Sequence, residues 1–187
     1  KAKNEVTELN ARSSVMDLVS GYGFARQGYP VRGLFSIPFV GLSSNGIPMY
    51  NINGKITSTD IDFQTRDNID YLKYEGPTDP TITGSFGNIF TYKAFKLNVF
   101  ITYSFGNVVR LNPCFNYQYS DLSSMPREFK NRWTVPGDEK HTNIPAIISK
   151  RQYEDNKDLM YAYNAYNYST ERIAKGDFIR MKEISLS

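Results

Sequence analysis

Between Phe95 and Phe105 apolar and polar residues alternate with a period of two: Leu97, Val99, Ile101, Tyr103 and Phe105 fall on one side, Lys96, Asn98, Thr102 and Ser104 on the other, with Phe100 the one apolar intruder. That period predicts an extended strand. Upstream, Ile82, Phe86 and Phe90 repeat the pattern at even positions, diluted by Gly84 and Asn88, and the short link at 92–95 closes the two runs into a hairpin with a tight turn. A third run, "DFIRMKEISLS", begins in one phase (Ile179, Met181) and ends in the other (Ile184, Leu186). One inserted residue, a β-bulge near Lys182 or Glu183, restores a single apolar side.

The remaining chain lacks a sustained period. Residues 1–30 are polar and broken by Gly21, Gly23, Gly28 and Pro30, so "SSVMDLVSG" predicts at most a turn of helix. "GLFSIPFVGL" is apolar but carries Pro38, which restricts it to an edge strand or a packed loop. Asn45-Gly46 and Asn53-Gly54 are turn signals, and 55–80 is acidic and turn-rich. About 70 residues then separate Gly106 from the last strand, with Pro113, Pro126, Pro136 and Pro145 along them. So long a connection is uncommon in a compact domain unless it has a function. The expected division is therefore 1–80 mainly loop, 81–106 hairpin, 107–176 long loop and 177–187 strand.

Length and a 40% hydrophobic content are compatible with a sizeable core. A net charge of +3 with scattered Lys and Arg gives no nucleic-acid signature. A single Cys offers no disulfide framework, and no run of about 18 apolar residues predicts a membrane helix. There is no leader-like h-region at the start, and the last residues still read as strand, so the expectation is an internal piece of a longer chain.

What does the apolar side of 97–105 touch? Its length matches the roughly 9 to 11 residues of a tilted membrane-crossing strand, and aromatic residues stand near both ends: Tyr92 and Phe95 at the turn, Tyr103 and Phe105 where the long loop begins. Periodicity alone leaves a soluble sandwich and a membrane barrel both standing.

Several stretches carry a family resemblance. "TGSFGNIFTYKAFKLNVFITYSFGN", "FKNRWTVPGDEKHTNIP" and "YSTERIAKGDFIRMKEISLS", in this order, resemble the C-terminal part of the SusC/RagA family of TonB-linked outer-membrane transporters. "GYPVRGLFSIPFVGLSSNGIPMY" and "YLKYEGPTDPTITG" are similar to the segments that precede them. The resemblance implies an all-β fold, a segment of a large antiparallel transmembrane β-barrel of about 22 strands with long extracellular loops and a plugged lumen. It further implies a bacterial outer-membrane importer of oligosaccharides or peptides, with a SusD-like surface lipoprotein as lid, energy from the TonB complex, and outer-membrane lipid around the wall. TonB box and plug have no counterpart in these residues. The alternative from another class is a secreted β-rich glycan-binding or adhesion module.

No enzymatic constellation and no cofactor motif emerge. His141 has no second His or Cys cluster beside it, and Cys114 has no partner of triad type. Asp60, Asp62, Asp67 and Asp70 lack the EF-hand pattern and read as a solvated acidic loop. "GYGFARQG" puts Arg26 at the third glycine position of a dinucleotide loop, and "NYS" at 167–169 is a glycosylation sequon without meaning in that membrane. The tyrosine-rich tracts are the candidate ligand contacts: Tyr117 and Tyr119, then Tyr161, Tyr163, Tyr166 and Tyr168, with Trp133 as a further ring. Rigid rings with polar tips suit stacking on sugars or peptides, and equally suit packing one loop on another.

Overall fold

A computed structural model describes residues 4–21, 25–115 and 124–187. In chain order its elements are helix α1 (Val15–Ser20), strands β1 (Gly33–Ser36), β2 (Phe39–Leu42), β3 (Pro48–Ile52), β4 (Lys55–Thr57), β5 (Lys73–Pro77), β6 (Ile82–Tyr92), β7 (Phe95–Phe105) and β8 (Val108–Arg110), helices α2 (Lys150–Asp155) and α3 (Leu159–Asn167), and strands β9 (Ile173–Lys175) and β10 (Phe178–Leu186). The architecture is mostly β, antiparallel within every sheet, with a few short helices and no closed barrel among the described residues.

The long strands form a sheet of their own in the order β10-β7-β6. Tyr92 pairs with Phe95 across a two-residue turn whose first residue, Lys93, has φ 54°. Phe86 lies opposite Ile101, and Ile101 opposite Met181, so one face is shared across all three strands. The register of β10 slips between Met181 and Glu183, where Lys182 is the extra residue; Ile179 then pairs with Tyr103 and Ile184 with Val99. The bulge expected from the change of phase is present, and it returns both halves of the strand to one apolar side.

That sheet is two-faced. One face carries Ile82, Phe86, Phe90, Leu97, Val99, Ile101, Ile179, Met181, Ile184 and Leu186; the other is mainly polar, with Ser85, Asn98, Thr102, Ser104, Arg180 and Glu183 beside Ile89, Phe100 and Phe178, and Asn98 Nδ2 donates to Glu183 at 2.8 Å. Two glycines are covered by rings: a Cβ on Gly84 would lie 2.5 Å from the Tyr103 ring, and one on Gly87 3.0 Å from Phe100. Ile82, Phe86, Phe90, Ile179, Met181, Ile184 and Leu186 are each more than half exposed. Within the described residues β6 and β10 are the two outer strands, each paired on one side only.

The segments between the strands fold against one another into a cap. The sequence suggested mainly loop for 1–80 and 107–176, yet these residues build β1-β5, β2-β3-β4 and β8-β9 together with α1 and α3. Pro38 sits in the break between β1 and β2, as its missing N–H requires. α1 starts on a capping box between Ser14 and Asp17 and ends on Gly21 at φ 72°. Its Val15, Leu18 and Val19 are fully buried with Phe35, Ile37, Tyr50, Ile61 and Phe63. A second core gathers Phe115, Phe129, Tyr163 and Tyr166.

Two arginines tie the cap together. Arg110 of β8 donates from Nε to Val19 O at 3.0 Å and from Nη2 to Phe35 O at 2.6 Å, while its guanidinium stacks on Tyr168. Its burial pulls the guanidinium pKa down to about 10. Arg172 is almost wholly buried; Nη1 donates to Glu128 at 2.7 Å and Nη2 to Asn112 O at 2.7 Å. Both cations thereby join segments more than 40 residues apart, which short strands alone could not hold.

Candidate functional site

An open cleft of about 1100 Å³ lies on the cap, with one wall from the loop at 59–64 and the other from α3 and the residue before it. In the first wall, Ile61 and Phe63 alternate into the core, and this turns Asp60, Asp62 and Gln64 outward. The loop is held by side chain-to-backbone bonds: Thr57 Oγ1 accepts from Asp60 N at 3.2 Å, and Asp62 Oδ1 accepts from Gln64 N at 2.9 Å. Lys55 Nζ donates to the Asp60 carboxylate, and this hydrogen bond, together with the lysine charge, lowers the Asp60 pKa. Tyr71 is pushed up to about 12, chiefly by burial and then by the negative charge of Asp62.

The second wall follows from helical spacing. Leu159, Ala162, Tyr163, Tyr166 and Asn167 recur at i, i+3, i+4, i+7 and i+8 and make the buried stripe of α3. Tyr50 Oη donates to Ala162 O at 2.7 Å and fixes the helix on β3. The opposite side leaves Met160, Tyr161 and Asn164 in the cleft. Asn167 anchors its end: Oδ1 accepts from Cys114 N and Phe115 N at 3.0 and 3.1 Å, and Nδ2 donates to Phe115 O at 2.9 Å. Asp158, at the N-cap position, does not use its carboxylate to cap the helix.

The candidate rings therefore divide. Tyr161 and Tyr168 line the cleft, Tyr161 with 44% of its surface exposed. Tyr163 also borders it but is buried, as is Tyr166; Phe115 packs edge-on against both at 5.3 and 5.1 Å. Trp133 lies elsewhere, pressed on Gly46, where a Cβ would come within 2.5 Å of the indole, and its Nε1 donates to Glu139 at 3.2 Å. It anchors one loop to another. Tyr117 and Tyr119 lie outside the described residues.

Of the other candidates from the sequence, Asp60 and Asp62 face the cleft and the rest lie apart from it or inside the core. His141 is exposed at the end of a 3-10 turn, and among the described residues no three His, Cys, Asp or Glu side chains converge as a metal site. Cys114 is buried, and burial raises its thiol pKa to about 11. Asp67 and Asp70 pair with Arg12 and Arg26, away from Asp60 and Asp62. The acidic run thus splits: two carboxylates face the cleft and two are engaged by arginines.

Three solved structures have a similar fold. Chains of the RagAB peptide importer in its open-open state (TM-score 0.52, 19% identity), of the RagAB peptide transporter (0.57, 20%) and of the importer in its closed-closed state (0.55, 20%) align with 82%, 87% and 87% of this chain. The chain spans only 15%, 16% and 17% of their respective lengths. No protein-family model matches the sequence, and no curated protein matches it either.

Proposed function

We propose that this chain forms part of the wall and the cell-surface loops of a TonB-dependent outer-membrane nutrient importer of the SusC/RagA type, acting without enzymatic chemistry of its own. The observation that carries the reading is the two-faced sheet β10-β7-β6. Its apolar face is continuous across three strands yet exposed, and its polar face bears Asn98, Thr102, Arg180 and Glu183. Hydrocarbon outside and a polar lumen inside require that arrangement, with further strands completing the hydrogen bonding of β6 and β10. The likeness in fold to chains of the RagAB peptide importer supports the same reading, favours peptide over oligosaccharide as cargo, and suits a SusD-like lipoprotein as partner.

On this reading the turn at 92–95 faces the periplasm, and the folded cap, from 1–80 and 107–176, stands outside the cell. Short periplasmic turns and long outer loops are the rule for such barrels. A small epitope inserted beside Asp138, on an exposed turn, tests it. The epitope is expected to be labelled on intact cells, whereas labelling only after the outer membrane is ruptured would contradict the orientation.

A further inference from the structure

Going beyond the importer reading, and independent of whether the sheet meets lipid, we propose that β7-β8 and β9-β10 form one strut that carries the cap as a rigid body, and that a glycine bulge at Gly106, latched by Asp177, fixes the angle between cap and sheet. The backbone ladder runs from end to end with one irregularity at the joint. Lys96 and Ser187 exchange both N–H···O bonds at 2.8 and 3.0 Å beside the tight turn, and Ser104 lies opposite Phe178 at the far end of the sheet. Val108 lies opposite Lys175 where the cap begins, and Leu111 N donates to Arg172 O at 2.9 Å at the tip. Between the two pairings residues 105–107 stand opposite only 176 and 177, so the β7-β8 side carries one extra residue. Gly106 has φ 82°, the left-handed conformation of a glycine bulge, and such an insertion bends the ribbon at a defined place.

A bend with two glycines acts as a hinge unless its space is filled and its amides are held. Here both conditions are met. Gly106 N donates to Asp177 Oδ1 at 2.6 Å, a charge-assisted bond, and Gly176 N donates to Asn107 O at 2.9 Å, so both glycine amides are tied across the ribbon. Thr81, just before β6, donates from its backbone N to Phe105 O at 3.0 Å and brings the third strand to the joint. A Cβ on Gly106 would overlap Thr81 Oγ1, and one on Gly176 would overlap the Asn107 side-chain amide, so neither glycine has room to swing. One step further on, Val108 packs against Gly76 of β5, where a Cβ would lie 3.2 Å from its Cγ1. Both cores grip the tip of the strut. Arg110 reaches Val19 O and Phe35 O of the first, and Arg172, across the ribbon, reaches Glu128 next to Phe129 of the second. The cap therefore follows the strut, and the strut is locked where it leaves the sheet.

Two measurements on the full-length protein test this. In a Cys114→Ala background, pairs of spin labels report electron–electron distances between Tyr92, at the turn of the sheet, and either Ile56 on β4 or Lys140 in the other half of the cap, all three exposed positions. Each pair is expected to give one narrow distance. A broad or two-peaked distribution in either pair means a cap that swings, and would overturn the strut. Amide hydrogen exchange reads the latch. Asp177→Ala is expected to speed exchange at Gly106 at least about tenfold, the loss of one hydrogen bond to a charged group, while Asp177→Asn, whose amide oxygen still accepts, loses less. Exchange at Gly106 as slow in Asp177→Ala as in the parent would overturn the latch. The importer reading fails separately, since a protein that fractionates with the aqueous phase refutes transport whichever way these two readouts fall.

Discussion

Ile101→Arg and Thr102→Arg are neighbours in sequence and opposites in consequence. Strand β7 has 11 residues, which at about 3.3 Å each span about 36 Å. Tilted by about 45°, that is about 25 Å of height, the apolar band of a membrane barrel. Ile101 is the seventh residue, close to the middle, flanked by Phe86 and Met181 on the apolar face. An arginine there is expected to cost about 2 to 4 kcal/mol. Thr102 lies between Ser85 and Arg180 on the polar face. An arginine at that position meets water and one like charge, a loss of about 1 kcal/mol or less. Urea titrations of each variant folded into vesicles give the comparison as a shift in midpoint at constant slope. Equal losses, or the larger loss at Thr102, would refute the assignment of faces.

The bulge yields a sharper contrast: deleting Lys182 leaves Glu183 opposite Phe100 and Ile184 opposite Val99, so insertion should persist, whereas deleting Arg180 sends Met181 to the polar face and Lys182 to the lipid. Membrane insertion yields of the two deletions measure this, and equal loss in both would contradict the register. For pH, Tyr71 is raised to about 12 and Cys114 to about 11, with Tyr50 raised as well, so their contribution to stability is complete below about pH 9 and is lost as pH climbs through 11 to 12. Near-ultraviolet circular dichroism of the cap should therefore vanish cooperatively in that interval; ionisation of Tyr71 near pH 10 with the signal intact would count against its burial.

The sheet was legible in the sequence because alternation is local. Leu97, Val99 and Ile101 declare their shared side within five residues, and the phase change between Met181 and Ile184 locates the bulge without knowledge of any partner strand. The cap was only partly legible: the Asn45-Gly46 and Asn53-Gly54 signals fall in the turns of β2-β3-β4, where Ile52 pairs with Lys55, but its strands have only three to five residues and the partners of the rest lie far off, Gly33 pairing with Pro77 and Val108 with Lys175. Non-local pairing of short segments leaves no periodic trace. Helix α3 was signalled weakly by Leu159, Ala162, Tyr163 and Tyr166 at helical spacing, but the repeated tyrosines at 161, 163, 166 and 168 imitate a strand-like or loop pattern. The same reading gave all four rings one role, whereas the helix buries Tyr163 and Tyr166 and turns Tyr161 to the cleft. Asp62 and Asp158 border one cleft only through the fold, so that cleft had no sequence signal.

The account turns on which side of β7 meets lipid, and spin labels placed singly at 97 to 102 in a Cys114→Ala background measure it directly in the membrane-reconstituted protein. Labels at Leu97, Val99 and Ile101 should collide with oxygen, which concentrates in hydrocarbon, and those at Asn98, Phe100 and Thr102 with a water-soluble nickel chelate, in strict alternation. Equal accessibility at both parities, or aqueous contact at all six positions, would contradict a membrane wall.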